Sequence, residues 1–146
     1  LYIAAIADNN PNYKNIKSIK ELKRLLPNLV EAAQNSYDEW EQDENGEDVE
    51  LGSGGICQNI ADSICDVLNQ NDIESSTAFQ QIGEQHVYTI AKLREGIYEI
   101  DINPYIYETG AGYTWRKKHG VVFSTQDINI VLIDDDPNRF EELVGD

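Results

Sequence analysis

Apolar positions recur along the chain at two different periods, and the change comes shortly after residue 70. From Ile19 through Leu22, Leu25, Leu26, Leu29, Val30 and Ala33 the spacing is three or four residues, the stripe of a helix with one buried face. Ser18 ahead of it and Glu21 three residues later read as an N-cap and a capping box. Pro27 falls inside the stripe and predicts either a kink or a division into two helices, because proline lacks the N–H that a helix interior uses. The pattern continues through Tyr37 and Trp40 with acids outward. A second stripe, Ile56, Ile60, Ile64 and Val67 or Leu68 with Ala61 between, begins at Gly54-Gly55 and runs into the turn formers Asn69-Gln70-Asn71-Asp72.

Beyond that point the period falls to two. Strands are predicted over 77–82, 85–93, 97–103, 121–124 and 128–133, with Arg94-Glu95-Gly96 turning the chain between the second and third. In one arm of this hairpin Val87, Thr89, Ala91 and Leu93 share a face opposite His86, Tyr88, Ile90 and Lys92. In the other, Tyr98, Ile100 and Ile102 oppose Ile97, Glu99, Asp101 and Asn103. A loop with an even number of residues brings the mostly apolar sets together and puts His86 on one face with Asp101 and Asn103. Residues 104–120 form a connector rich in Tyr and Gly, and Asp134-Asp135-Asp136-Pro137 opens a short C-terminal helix. Leu1–Ala7 is an apolar run too short to classify, ended by a turn at Asp8-Asn9-Asn10-Pro11-Asn12. Helices followed by a mostly antiparallel sheet make the chain α+β. It reads as a single domain over 1–146, helical over 1–50, with the second helix and the sheet over 51–146.

Composition narrows the function. The 146 residues carry 27 acids against 11 Lys plus Arg, a net charge of −16. That argues against nucleic acid, which demands positive charge, and against an anionic membrane surface. No stretch is apolar for long enough to span a bilayer. The acidity could attract a basic protein, although solubility is the simpler reason for it. Residues 41–50 are an acidic loop leading into Gly52-Ser53-Gly54-Gly55, where it could border the mouth of a site. The two cysteines, Cys57 and Cys65, lie eight residues apart on one helix. They are then separated by about 12 Å of rise, too far for a disulfide. Both are expected reduced, which fits a cytoplasmic compartment. The chain starts at Leu1 and contains no Met, which reads as a trimmed or processed product and leaves a removed signal peptide open. No cofactor is implied, and the Cys, His and acid spacings give neither a zinc nor a calcium pattern.

Cys57 sits in or beside the first turn of its helix, where unpaired N–H groups and the positive end of the macrodipole favour a thiolate. The plain alternative is a small apolar residue opening a core helix. A reactive thiol needs a base, and the base needs a group to fix its tautomer. The chain offers Cys57, then His86 on a strand, then Asp101 on the next strand and the same face.

These residues resemble the transglutaminase-like superfamily of papain-related cysteine enzymes. Its members show Gly-x-Cys opening a helix, His-x-Trp or a similar aromatic on a strand, a hairpin, and a strand ending in Asp-Pro or a close variant. Here the corresponding stretches are Gly55-Ile56-Cys57, His86-Val87-Tyr88, and Gly96 to Pro104 with Asp101 inside it. The resemblance covers about residues 54–104. It departs at Tyr88 in place of Trp, at Ile102-Asn103 before the proline, and at Gln58 where an aromatic often follows the nucleophile. It implies a single transglutaminase-like domain with Cys57 as nucleophile, His86 as general base and acid, and Asp101 as orienting carboxylate. The backbone N–H of Cys57 would serve as one oxyanion donor. The reaction implied is acyl transfer at an amide or ester carbonyl of a protein or peptide, hydrolytic or of transglutaminase type.

Each assignment has a rival. Asn103 could orient the imidazole instead of Asp101, as an Asn does in papain-type sites. His119, within Arg116-Lys117-Lys118-His119, is the alternative base. Trp40 and Gln42 could supply a second oxyanion donor or wall the cleft, with packing the natural role for Trp40. Gln58 and Tyr88 flank the proposed nucleophile and base. Cys65 reads as core. The whole chain could also be a catalytically silent module that binds a protein partner, or a redox or acyl-carrying thiol without a triad.

Overall fold

The computed structural model describes residues 16–42, 54–80, 86–109 and 116–144. The apolar run Leu1–Ala7, the turn after it and positions 43–53 lie outside these residues; Glu41 and Gln42, read as the start of the acidic loop, are instead the last residues of a helix. Among the described residues, four helices and a four-stranded antiparallel sheet give the α+β architecture the periodicities predict. The helices are α1 (Ile19–Arg24), α2 (Leu26–Gln42), α3 (Gly54–Gln70) and α4 (Phe140–Val144). The sheet strands are β1 (Ser75–Gln80), β2 (His86–Leu93), β3 (Gly96–Ile102) and β6 (Ile128–Asp134), in the order β1-β2-β3-β6. Two short strands, β4 (Glu108–Thr109) and β5 (Arg116–Lys117), pair inside the connector, where the sequence pattern shows no strand.

The capping box forms as predicted: Glu21 N–H donates to Ser18 Oγ at 3.2 Å, and Ser18 N–H to the Glu21 carboxylate at 3.1 Å. Pro27 divides two helices. Leu25 closes α1, and the proline sits in the first turn of α2, where its missing N–H is not needed. Leu29, Ala33, Tyr37 and Trp40 of α2 are buried with Ile56, Ile60, Ile64 and Leu68 of α3, and the inner sheet face contributes Ala91, Leu93, Ile100 and Ile102. Small residues let the two long helices approach closely: the hydroxyls of Ser36 and Ser63 are in hydrogen-bond contact across the interface. α3 ends at Gln70, and Asp72 adopts φ 64° as the chain turns toward β1.

Val121–Ser124 is not a strand. Gln34 of α2 accepts from Phe123 N–H at 2.8 Å and donates to the Val121 carbonyl at 3.0 Å, while Val121 N–H donates to the Tyr37 hydroxyl at 3.2 Å. Side chains of a helix thus take the backbone groups that a neighbouring strand would have used. This anchors Phe123 in the core, edge-on to Tyr37 at 5.5 Å. The predicted C-terminal helix begins as a short 3₁₀ turn, Pro137–Arg139, before α4.

The β2–β3 hairpin has a two-residue loop, with Leu93 facing Gly96. Gly96 has φ +148°, and a Cβ there would collide with the Asp134 carbonyl of β6, so the close passage of the third strand requires glycine. The loop is even, and Ile90 consequently faces Glu99. His86, Tyr88, Ile90, Glu99 and Asp101 therefore share the outer face of the sheet. At the loop end that face is covered by Phe140, packed with Ile90 and Ile97. At the other end it carries the polar residues. Among the described residues no helix is long and apolar enough to cross a membrane.

Candidate active site

Three elements meet at the end of the sheet where β2 begins. α3 brings Cys57 in its first turn, packed against Ala61 of the same helix and Val87 of β2. β2 brings His86 as its first residue, and β3 brings Asp101. His86 Nε2 lies 2.7 Å from Asp101 Oδ2, with each side chain 16 % exposed. The imidazole's other hydrogen-bond partner is the Cys57 thiol, for which Nδ1 is the ring nitrogen that remains. Burial alone would depress the imidazolium. The hydrogen bonds to Asp101 and then to Cys57 outweigh it and push the His86 pKa from 6.5 up to about 10.

Helix and strand are locked together beside these groups. Thr89, fully buried on the inner face of β2, donates its hydroxyl to the Ala61 carbonyl at 2.9 Å. Ala61 is one helical turn from Cys57, and Thr89 is three residues from His86. The bond therefore fixes the register between the element carrying the thiol and the element carrying the imidazole. In the alternating pattern Thr89 is only another inward position, so nothing in the sequence distinguishes it.

Tyr107 is the second residue that the sequence does not single out. It is 1 % exposed, set edge-on to Trp40 (6.4 Å, 86°) and to Phe123 (6.3 Å, 80°). Burial pushes its phenol well above the usual tyrosine range, and the charges of Cys57, Glu108 and Asp101 push it further. The ring thus joins the site to the core. Its place just after the Asn103-Pro104 turn distinguishes it from the other tyrosines of the connector only once the turn is folded.

The accessory candidates separate cleanly. Tyr88 stacks beside His86, ring centroids 6.2 Å apart and planes 26° from parallel. Trp40 is 5 % exposed within the main core, with Lys117 Nζ 4.9 Å over its ring. Asn103 caps the 3₁₀ turn Pro104–Ile106 by accepting from Tyr105 N–H at 3.0 Å; Asp101, not Asn103, holds the imidazole. Gln58 donates along the helix surface to Asp62 at 3.0 Å. His119 is on the exposed surface, 3.6 Å from Glu41. Cys65 is buried near the other end of α3, 3.2 Å from Ser75 Oγ, and burial raises its thiol pKa. Among the described residues no group of three or more His, Cys, Asp or Glu is arranged to hold a metal ion.

Compared with known proteins, the chain matches no family model, no curated protein and no solved structure. The functional reading therefore rests on the site itself.

Proposed function

We propose that the protein is a thiol-dependent acyl-transfer enzyme of transglutaminase-like type, with Cys57 as nucleophile, His86 as general acid and base, and Asp101 as the orienting carboxylate. The observation that carries this reading is the His86–Asp101 bond of 2.7 Å on an imidazole whose other partner is the Cys57 thiol. The imidazolium, held by Asp101 beside the sulfur, is placed to hand its proton to a leaving group. In the reaction, the thiolate attacks the carbonyl carbon of an amide or ester. The C–S bond forms as the carbonyl π pair moves to oxygen, where the positive end of α3 stabilises it. His86 gives its proton to the departing amine or alcohol as that bond breaks, leaving a thioester. Water, losing a proton to His86, then attacks the thioester and expels the Cys57 thiolate with release of the acid. An amine acceptor in place of water would make the same cycle a transamidation. The nearly buried thiol favours a small acceptor, and hydrolysis of a protein or peptide is the preferred outcome.

The test uses p-nitrophenyl acetate as an activated acyl donor. A burst of nitrophenol with the acetyl group on Cys57, located by mass spectrometry, is expected; Cys57→Ala should give no burst and His86→Ala a strongly slowed one. Acetylation of Cys57 and Cys65 at equal slow rates would remove the enzyme reading and leave a silent binding module.

A further inference from the structure

β6 is the outer strand of the sheet, and among the described residues its only ladder is to β3. Natural edge strands are shielded by Lys, Pro, inward charges or bulges, because their unpaired backbone groups are a template for another chain. The seven residues of β6, Ile-Asn-Ile-Val-Leu-Ile-Asp, include no Lys and no Pro. Three successive apolar residues are half-exposed: Val131 at 48 %, Leu132 at 49 % and Ile133 at 45 %. The single irregularity lies near the end, where Ile97 faces Asp134 but Tyr98 faces Leu132, leaving Ile133 unmatched. Ile128–Leu132 remains a regular stretch with its outer backbone edge free of any partner among the described residues.

The two faces of that stretch differ. Ile128, Ile130 and Leu132 continue the apolar inner face opposite Ile102, Ile100 and Tyr98. On the outer face Asn129 stands opposite Asp101, and Val131 opposite Glu99. Glu99 is half-buried, and burial, then the neighbouring Asp101, raise its pKa, with His86 opposing. No Lys or Arg among the described residues forms an ion pair with it. A partly desolvated carboxylate whose nearby imidazole is already bonded to Asp101, and which no Lys or Arg pairs, is a cost that an incoming positive group would relieve. Acids also rim the strand at Asp127, Asp135 and Asp136.

We infer that Ile128–Leu132 is a docking strand for an extended segment of a protein partner, apolar on one side and bearing Lys or Arg on the other. The segment would add to the sheet through backbone hydrogen bonds. Its apolar side chains would extend the inner face beside Ile130 and Leu132. A basic side chain beside Val131 would start about 10 Å from β3, two strand spacings, and reach back to Glu99. A second copy of this chain is the poorer occupant, because net charge −16 opposes −16 and self-pairing brings the acidic strand ends together. The docking strand does not depend on Cys57, so it stands or falls separately from the catalytic reading.

The experiment titrates the isotope-labelled full chain with a synthetic heptapeptide alternating valine and lysine. The controls are the same residues in two blocks, and an alternating valine–glutamate peptide. Amide shifts concentrated in Ile128–Leu132 are expected, with hydrogen exchange of the amides that β3 leaves unbonded slowed about tenfold at saturation. Glu99→Gln should weaken binding by about threefold to fivefold, and Val131→Lys, which supplies a competing cation at the same place, should weaken it as well. Cys57→Ala should bind as the parent does. Equal binding of either control peptide, or shifts away from β6, would overturn the inference. So would a concentration-dependent dimer in sedimentation that buries the strand. Slow exchange of the same β6 amides in the free protein would overturn it too, since the chain would then cover its own edge.

Discussion

Two thiols sit eight residues apart on one helix, and almost everything that separates them is electrostatic. Cys57 is 3 % exposed and Cys65 is 9 %, so access alone ranks Cys65 as the more reactive. Cys65 faces the Ser75 hydroxyl at 3.2 Å and the Asn69 amide at 3.5 Å. Burial raises its pKa, and Asp66 and Asp62 raise it further. Burial and these negative charges keep the proton on sulfur, against the opposing hydrogen bonds from Ser75 and Asn69. Cys57 faces an imidazole whose positive charge is held by Asp101. The same helix thus carries one sulfur among a hydroxyl, an amide and acids and one beside a cationic imidazole, and burial does not tell them apart.

The sharpest way to break this comparison is to remove each sulfur. Cys57→Ala should lower acyl transfer to p-nitrophenyl acetate by about 10³-fold or more, while Cys65→Ala should stay within about twofold and instead cost about 1–2 kcal/mol in urea unfolding. Iodoacetamide should label Cys57 faster than Cys65 at neutral pH; the reverse order would show that access, not charge, governs both.

Next in size is the carboxylate that holds the imidazole. Asp101→Asn should lower turnover by about 10²- to 10⁴-fold. In the parent the alkaline limb of kcat/KM should lie near pH 10, where the imidazolium is lost, and in the variant it should move toward neutral pH. An alkaline limb unmoved by the substitution would detach Asp101 from His86.

Stability gives a smaller signal with a definite sign. The folded pKa of His86 is raised from 6.5 to about 10, so the folded state binds the proton more tightly than the unfolded chain. The resulting stabilisation is complete below about pH 6.5 and disappears as pH rises through about 10. The difference in urea midpoint between the parent and His86→Gln should therefore be flat in mild acid and shrink across that window. The smallest effect is expected at Thr89→Val. Loss of the hydroxyl bond to Ala61 should cost about 1 kcal/mol and lower the acylation rate without altering its pH profile.

Much of the site was legible because it is local in the sequence. Gly54-Gly55 before an apolar stripe announces a helix start, so the position of Cys57 follows from spacing. The hairpin register follows from alternation once the loop is even, and that brings His86 to the same face as Asp101. What was not legible depends on contacts distant along the chain. Val121–Ser124 has a strand's composition, but Gln34 and Tyr37, more than eighty residues earlier, take its backbone groups. Tyr107 and Thr89 acquire their roles only when α3 and the connector are folded against the sheet. Asn103 and Asp101 are equivalent by alternation; the 3₁₀ turn that follows decides between them by engaging the Asn103 side chain.

The loop of the β2–β3 hairpin is tied to the start of α1. Arg94 N–H donates to the Lys17 carbonyl at 2.9 Å, Arg94 Nε to Ile16 at 2.8 Å, and Ile19 N–H to the Glu95 carboxylate at 2.9 Å. His86 stands at the far end of the same strand, about 23 Å away. A tether at one end of a stiff ribbon sets the aim of the other. Loosening residues 16–19 would thus blur the meeting of sulfur and ring without touching either, and stray substitutions near the front of the chain would register first as lost precision in chemistry rather than as lost shape.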